Sequence, residues 1–121
     1  MPELVAIIGA TEKKNRYAYK AMTALLENGH EVRLVNPYKK FVEDRQCFSM
    51  VTDIKEKIDT VTLYVNPKRF RDHIEEVIKV KPGRVIMNPG TEDDDMEKRL
   101  EDAGITVDRA CTLVLLSMGK F

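Results

Sequence analysis

The sequence is short of cysteine, of histidine and of net charge, and each shortage excludes something. Its two cysteines, Cys47 and Cys111, lie far apart and form neither a CxxC pair nor a disulfide framework. Lys and Arg total 20 against 20 for Asp and Glu, so no global field draws the chain to nucleic acid or to a membrane. No apolar run approaches the roughly 20 residues of a membrane span. The opening "MPELVAIIGA" has no basic lead and reads directly as a strand, so no secretory signal is expected and a cytoplasmic protein is. The only histidines are His30 and His73, both read as surface or packing residues. No Ser/His/Asp group, metal cluster or paired-carboxylate arrangement accompanies them. "EDDD" (92–95) reads as the acidic first turn of a helix, with no second cluster to complete a metal site. The expectation is a binding protein, not an enzyme.

What the chain does contain is alternation. At 121 residues it fits one domain. "LVAIIGA" (4–10) is a continuous apolar run of the kind found in buried parallel strands. Ala18, Ala21, Met22, Leu25 and Leu26 then fall on one face of a helix that Gly29 stops. "EVRLVNP" (31–37), "TVTLYVNP" (60–67), "RVIMNPG" (84–90) and "ITVDRA" (105–110) supply four more strands. Phe70, Ile74, Val77 and Ile78 mark a helix, "EDDDMEKRLEDAG" another, and "CTLVLLSM" a short terminal one. Between 38 and 59 the pattern is less regular: "QCFSMV" suits a short extended piece, and "TDIKEKI" a short helix capped by Thr52 or Asp53. Such alternation builds right-handed βαβ units. The expected fold is a three-layer, Rossmann-like α/β domain with a five-stranded parallel sheet covered by helices on both faces.

Sheets of this kind bind ligands at the carboxyl ends of their strands, where strand order reverses. Those ends read "GAT", "VNP", "YVNP" and "MNPG". Three are Asn-Pro, which serves equally as turn chemistry and as a short amide aimed at a crevice. The first loop, "GATEKKNR", holds Gly9 alone. Thr11 and Lys14 stand where a dinucleotide-binding loop would have its other glycines, and strand two ends in Asn36 instead of an acidic residue. Both features count against NAD. A loop without spare glycines can still hold phosphate through Thr11, Asn15, the cations Lys13, Lys14 and Arg16, and the helix start behind them. Lys39 and Lys40, just past Pro37, would suit a phosphorylated ribose, as in NADP or coenzyme A.

The pattern "VAIIGAT…NR…GHEVRLVNP…C…D…YVNP…MNPG…G…DRAC" resembles the small single-domain coenzyme A-binding proteins. Their fold is that of the N-terminal domain of the succinyl-CoA synthetase alpha subunit. The resemblance spans about residues 4 to 112, and "VNP", the Pro of "YVNP" and "DRAC" are its most specific parts. It implies a cradle of Gly9, Ala10, Thr11 and Arg16, a crevice lined by Asn36, Pro37, Val65, Asn66 and Pro67, and further contacts from Asn88 and Gly90. Two positions depart from it. Ala18 stands where relatives often carry a Ser, and the segment after "DRAC" has no His.

The resemblance also implies the ligand: coenzyme A or an acyl-CoA, held by a non-catalytic binding or regulatory protein. The synthetases' phosphorylated histidine belongs to a domain this chain lacks. An NADP-type domain, or a scaffold that kept the fold and lost the ligand, stays open at this point. Cys47 and Cys111 read as structural thiols, and oligomeric state is left open.

Overall fold

In the computed structural model, which describes residues 2–121, the run Leu4–Ile8 becomes the central strand β1, with all five residues buried. It pairs in parallel with β2 (Glu31–Val35) on one side and β5 (Thr60–Leu63) on the other. Alternate side chains of β1 feed two separate cores, as a strand's period of two dictates. Leu4, Ala6 and Ile8 pack on one face. Val5 and Ile7 pack on the other, against helix α1 (Tyr17–Glu27), which buries Ala18, Ala21, Met22 and Leu25. The expected face of that helix and its stop at Gly29 (φ +84) are both present.

The sheet has seven strands, not five, in the order β3 (Phe41–Val42), β4 (Arg45–Phe48), β2, β1, β5, β6 (Arg84–Met87), β7 (Thr106–Arg109). The five expected strands are there: β6 is Arg84–Met87 and β7 is Thr106–Arg109, both in parallel register. The two extra ones come from the irregular stretch. β4 (Arg45–Phe48) adds in parallel to β2, and β3 (Phe41–Val42) folds back on it antiparallel through a turn in which Glu43 takes φ +57.

The helices on the other face also differ from expectation. "TDIKEKI" forms no helix. A single 3-10 turn, Val51–Asp53, precedes an extended segment that sends Ile54 and Ile58 into the core. The helix expected from Phe70 to Ile78 is broken in two, α2 (Pro67–Phe70) and α3 (Ile74–Val80), with His73 at the break. α4 (Asp94–Asp102) begins as expected, with an acidic first turn and the Asp93 carboxylate accepting the Met96 N–H at 3.0 Å. The terminal helix α5 (Thr112–Ser117) packs on the α1 face. Three layers result, with the chain reversing direction across the sheet between β1 and β5.

Candidate functional site

The reversal opens a crevice where β1 and β5 end. Gly9 turns the chain out of β1 at φ +97, and its N–H is held by the Val35 carbonyl at 2.9 Å. A methyl group placed on Gly9 would lie 2.7 Å from the Tyr64 carbonyl oxygen, closer than atoms can approach. Glycine is required because two strand ends converge there. The crevice so formed is a trough of three bays that share Tyr64 as a common wall.

The first bay, about 340 Å³, is polar. Thr11, Lys13, Arg16, Asn36 and Lys39 line it beside the start of α1. That helix start is bare. Arg16 is its N-cap, in extended conformation, with no side-chain cap and no acidic residue in the first turn. Its leading N–H groups have no side-chain partner, and Arg16, Tyr17 and Ala18 at its start line the bay beside cations, the arrangement that attracts an oxyanion. The contrast with the capped, acidic start of α4 is complete. The Thr11 hydroxyl accepts the Lys13 N–H at 3.2 Å and keeps its own proton to donate. Lys39 is not loose in solvent: its Nζ lies 2.9 Å from Glu12 Oε2, and this pairing holds the Glu12 carboxyl below its usual pKa.

The second bay, about 470 Å³, lies between the ends of β2 and β5. Pro37, Val65 and Asn66 line it as expected, joined by Tyr38, Arg69 and His73. The Arg69 guanidinium lies 5.7 Å from the centre of the Tyr38 ring, and that ring is 80% exposed. The two make a flat surface on which a planar group could stack. The third bay, about 200 Å³, is walled mainly by carbon from Tyr17, Tyr64, Pro89 and Leu113, with Asn88 and Cys111 completing it. Burial pushes the Tyr64 phenol up to about pKa 12, so it stays protonated.

The three Asn-Pro corners build this trough, with each amide already engaged. Asn36 Nδ2 donates to the Ala10 carbonyl at 2.9 Å and its Oδ1 accepts the Tyr38 N–H at 2.9 Å, tying the loop after β1 to the loop after β2. Asn66 caps α2, its Oδ1 accepting the Arg69 N–H at 2.9 Å, with Pro67 in the first turn. Asn88 is buried. It donates to Thr62 Oγ1 at 2.7 Å and to the Leu63 carbonyl at 2.8 Å, and accepts the Thr112 N–H at 2.9 Å. Thr62 and Thr112 close the set at 2.8 Å.

Of the other expected site residues, Ala10 is buried and lines none of the three bays, though its carbonyl accepts the Asn36 amide. Lys14, Asn15 and Lys40 are exposed and line none of the three bays. Gly90 sits outside them too, at φ +92, its N–H held by Glu92 Oε1 at 2.8 Å. Cys47 is buried as expected, and burial raises its pKa. Cys111, expected in the core, is instead half-buried on the third bay. His30 accepts the Glu3 N–H at 3.0 Å far from the crevice, a packing role. His73, read as a surface or packing residue, is buried and also forms part of the second bay's wall. Tyr64 and Arg69 were also missed. Tyr64 was detectable as the last residue before "VNP"; Arg69 and His73 depend on a helix break that the apolar spacing conceals.

Among the described residues, no group of His, Cys, Asp or Glu could hold a metal ion, and no helix is long and apolar enough to cross a membrane.

A mostly parallel, three-layer α/β sheet with its crevice at the switch point defines a Rossmann-like domain. Residues 3–117 match the family described as CoA binding domain, and the chain belongs to that family. It is similar in structure to a protein described only as uncharacterized, with 38% identity, a TM-score of 0.89, and coverage of 100% of this chain and 99% of that one. A hypothetical protein from Pyrococcus horikoshii OT3 matches at 32% identity and TM-score 0.89, covering 94% of this chain and 81% of the other. An acetyl-coenzyme A synthetase from Ca. Korarchaeum cryptofilum shares the fold at 19% identity and TM-score 0.74. That match covers 88% of this chain and 25% of the synthetase.

Proposed function

We propose that the protein binds coenzyme A or an acyl-CoA across this trough as a non-catalytic, cytoplasmic binding or regulatory protein. The observation that carries the reading is the uncapped start of α1, ringed by Thr11, Lys13, Arg16 and Lys39. A pyrophosphate there would receive backbone N–H groups, a hydroxyl and cations together. The flat surface of Tyr38 and Arg69 would take the base, and the carbon-walled third bay would take the thiol-bearing arm. Family membership supports the same ligand. Asn36, whose amide already closes the trough, offers no carboxylate to a ribose diol, which argues against NAD.

The test is a thermal-shift panel of CoA, acetyl-CoA, NAD, NADP and ATP, with titration calorimetry on the hits. A ligand at 100 times its Kd adds about 2.7 kcal/mol of stability, a rise on the order of 10 °C for a domain of this size. CoA species are expected to give that rise and NAD none. Arg16→Ala should weaken CoA binding by about 1.5–3 kcal/mol, as loss of a charge-assisted hydrogen bond does, with little change in the unliganded melting temperature. Equal shifts with NAD and CoA would overturn the ligand assignment.

A further inference from the structure

The second bay contains one group that the proposed function leaves unused. His73 is only 5% exposed and forms part of the bay wall. Its Nδ1 is the one buried side-chain nitrogen or oxygen without a hydrogen-bond partner among the described residues. We propose that His73 is a ligand-positioning residue of this bay: a heterocyclic base bound on Tyr38 and Arg69 requires the imidazole neutral and in place, so binding is linked to the release of a proton from His73. The inference rests on the reading of the trough as a CoA site.

The geometry supplies the reason. An imidazolium has two N–H donors, and both need acceptors when buried. Nδ1 has none where the ring sits now. A proton added to His73 must therefore turn the ring out of the wall or draw an acceptor in, and either change alters the surface the base would meet. The charged groups around it do not cancel this. Asp72 beside it and Glu76 on α3 favour the charged form, yet burial outweighs them and the imidazole's pKa lies below its ordinary 6.5. Arg69, on α2 and in the same bay, is a like charge. Asp53, on the 3-10 turn that packs against α3, is already engaged with the Met50 N–H at 3.3 Å.

The probe is 3′-dephospho-CoA, which lacks the phosphate monoester that itself titrates near neutrality. Its Kd would be measured by calorimetry at about pH 7.5 and about pH 5.2 for wild type, His73→Phe and His73→Gln. The wild-type Kd should rise severalfold at the lower pH, approaching tenfold per unit once the pH is below the histidine's own pKa. Both variants should lose that dependence. Phe keeps the ring's shape and Gln keeps a polar side chain, so a folding defect in one leaves the other to answer, and thermal melts at both pH values identify which is folded. With two histidines in the chain, the imidazole proton resonances of His73 and His30 are separable by NMR. The His73 signal should titrate at lower pH in the complex than in the free protein. Binding with the same pH profile in wild type and folded variants would overturn the inference alone. No binding of any CoA species by wild type at the higher pH would overturn the CoA reading and this inference with it.

Discussion

Replacing Gly9 by alanine tests whether the trough is held open by the meeting of two strand ends. Two costs are separable. At φ +97 the backbone is in the left-handed region, where a Cβ costs about 1–2 kcal/mol. The added methyl would also sit 2.7 Å from the Tyr64 carbonyl oxygen and 2.9 Å from its carbon, atoms of a backbone fixed by the Tyr64 N–H bond to Ile8. Moving that backbone is an overpacking problem, worth roughly 1–3 kcal/mol. Gly9→Ala should thus destabilise by about 2–5 kcal/mol. Gly29→Ala provides the control, because Gly29 also has positive φ (+84) but nothing lies within 4 Å of its added Cβ. It should lose only the conformational part, about 1–2 kcal/mol. Urea denaturation of wild type and both variants measures the difference, read as a shift in midpoint at constant slope. If the two variants were equally stable, the close approach of Gly9 to Tyr64 would have no energetic weight and the geometry of the crevice floor would need another account.

Three other outcomes are expected. Asn88→Ala should cost about 2–4 kcal/mol in chemical denaturation, because it strands the buried Thr112 N–H and removes two further bonds; a loss below 1 kcal/mol would mean water replaces the amide. CoA should bind more tightly than 3′-dephospho-CoA by about two- to fivefold at low salt, and Lys39→Ala with Lys40→Ala should weaken CoA more than the dephospho ligand, which loses only the pyrophosphate contact of Lys39; equal affinities in wild type would remove both lysines as contacts of the ribose phosphate. His73, held below its ordinary pKa of 6.5 by burial, binds its proton more readily when the chain is unfolded. Folding stability should therefore fall as pH drops below about 6.5 and level off only past the folded-state pKa, and His73→Phe should flatten that part of the profile; an unchanged slope would show that His73 is free to ionise where it sits.

The five parallel strands were legible because each is a short β-branched or apolar stretch, most of them closed by a turn residue: the continuous run Leu4–Ile8 before Gly9, and Thr60–Leu63 and Arg84–Met87 before their Asn-Pro corners. Of the hairpin, only β4 was legible in part, as the short extended piece in "QCFSMV"; β3 and the turn were not. The hairpin's residues are mostly exposed and carry no apolar run, and its turn places Glu43 at φ +57, where a glycine or asparagine would have announced it. The break before α3 was hidden for the opposite reason. Phe70, Ile74 and Val77 all point into the core whether the helix is continuous or interrupted, so the apolar spacing carries no trace of the interruption. The place of His73 on the second bay was hidden on that account. The polar bay was readable from Gly9, Thr11 and Arg16, since a strand, a loop and an uncapped helix follow one another in sequence. The second bay was readable only in part: Pro37, Val65 and Asn66 at the two strand ends were expected, whereas Tyr38, Arg69 and His73, which join them across the helix break, were not.

The borders of the sheet decide how the molecule treats its neighbours. A free strand edge is a template on which another chain can polymerise. At one border the outermost strand, β3, offers only two residues, too few to seed an intermolecular ladder. At the other, β7 ends in Asp108 and Arg109, and both charges are tethered: Asp108 to Arg84 at 3.7 Å, Arg109 to Asp94 and Glu97 of α4. An approaching strand would meet a short edge whose last two residues are charged. The hairpin thus does more than enlarge the sheet. It ends the parallel array with a stub, which protects against fibrous aggregation a chain whose net charge of zero provides no mutual repulsion.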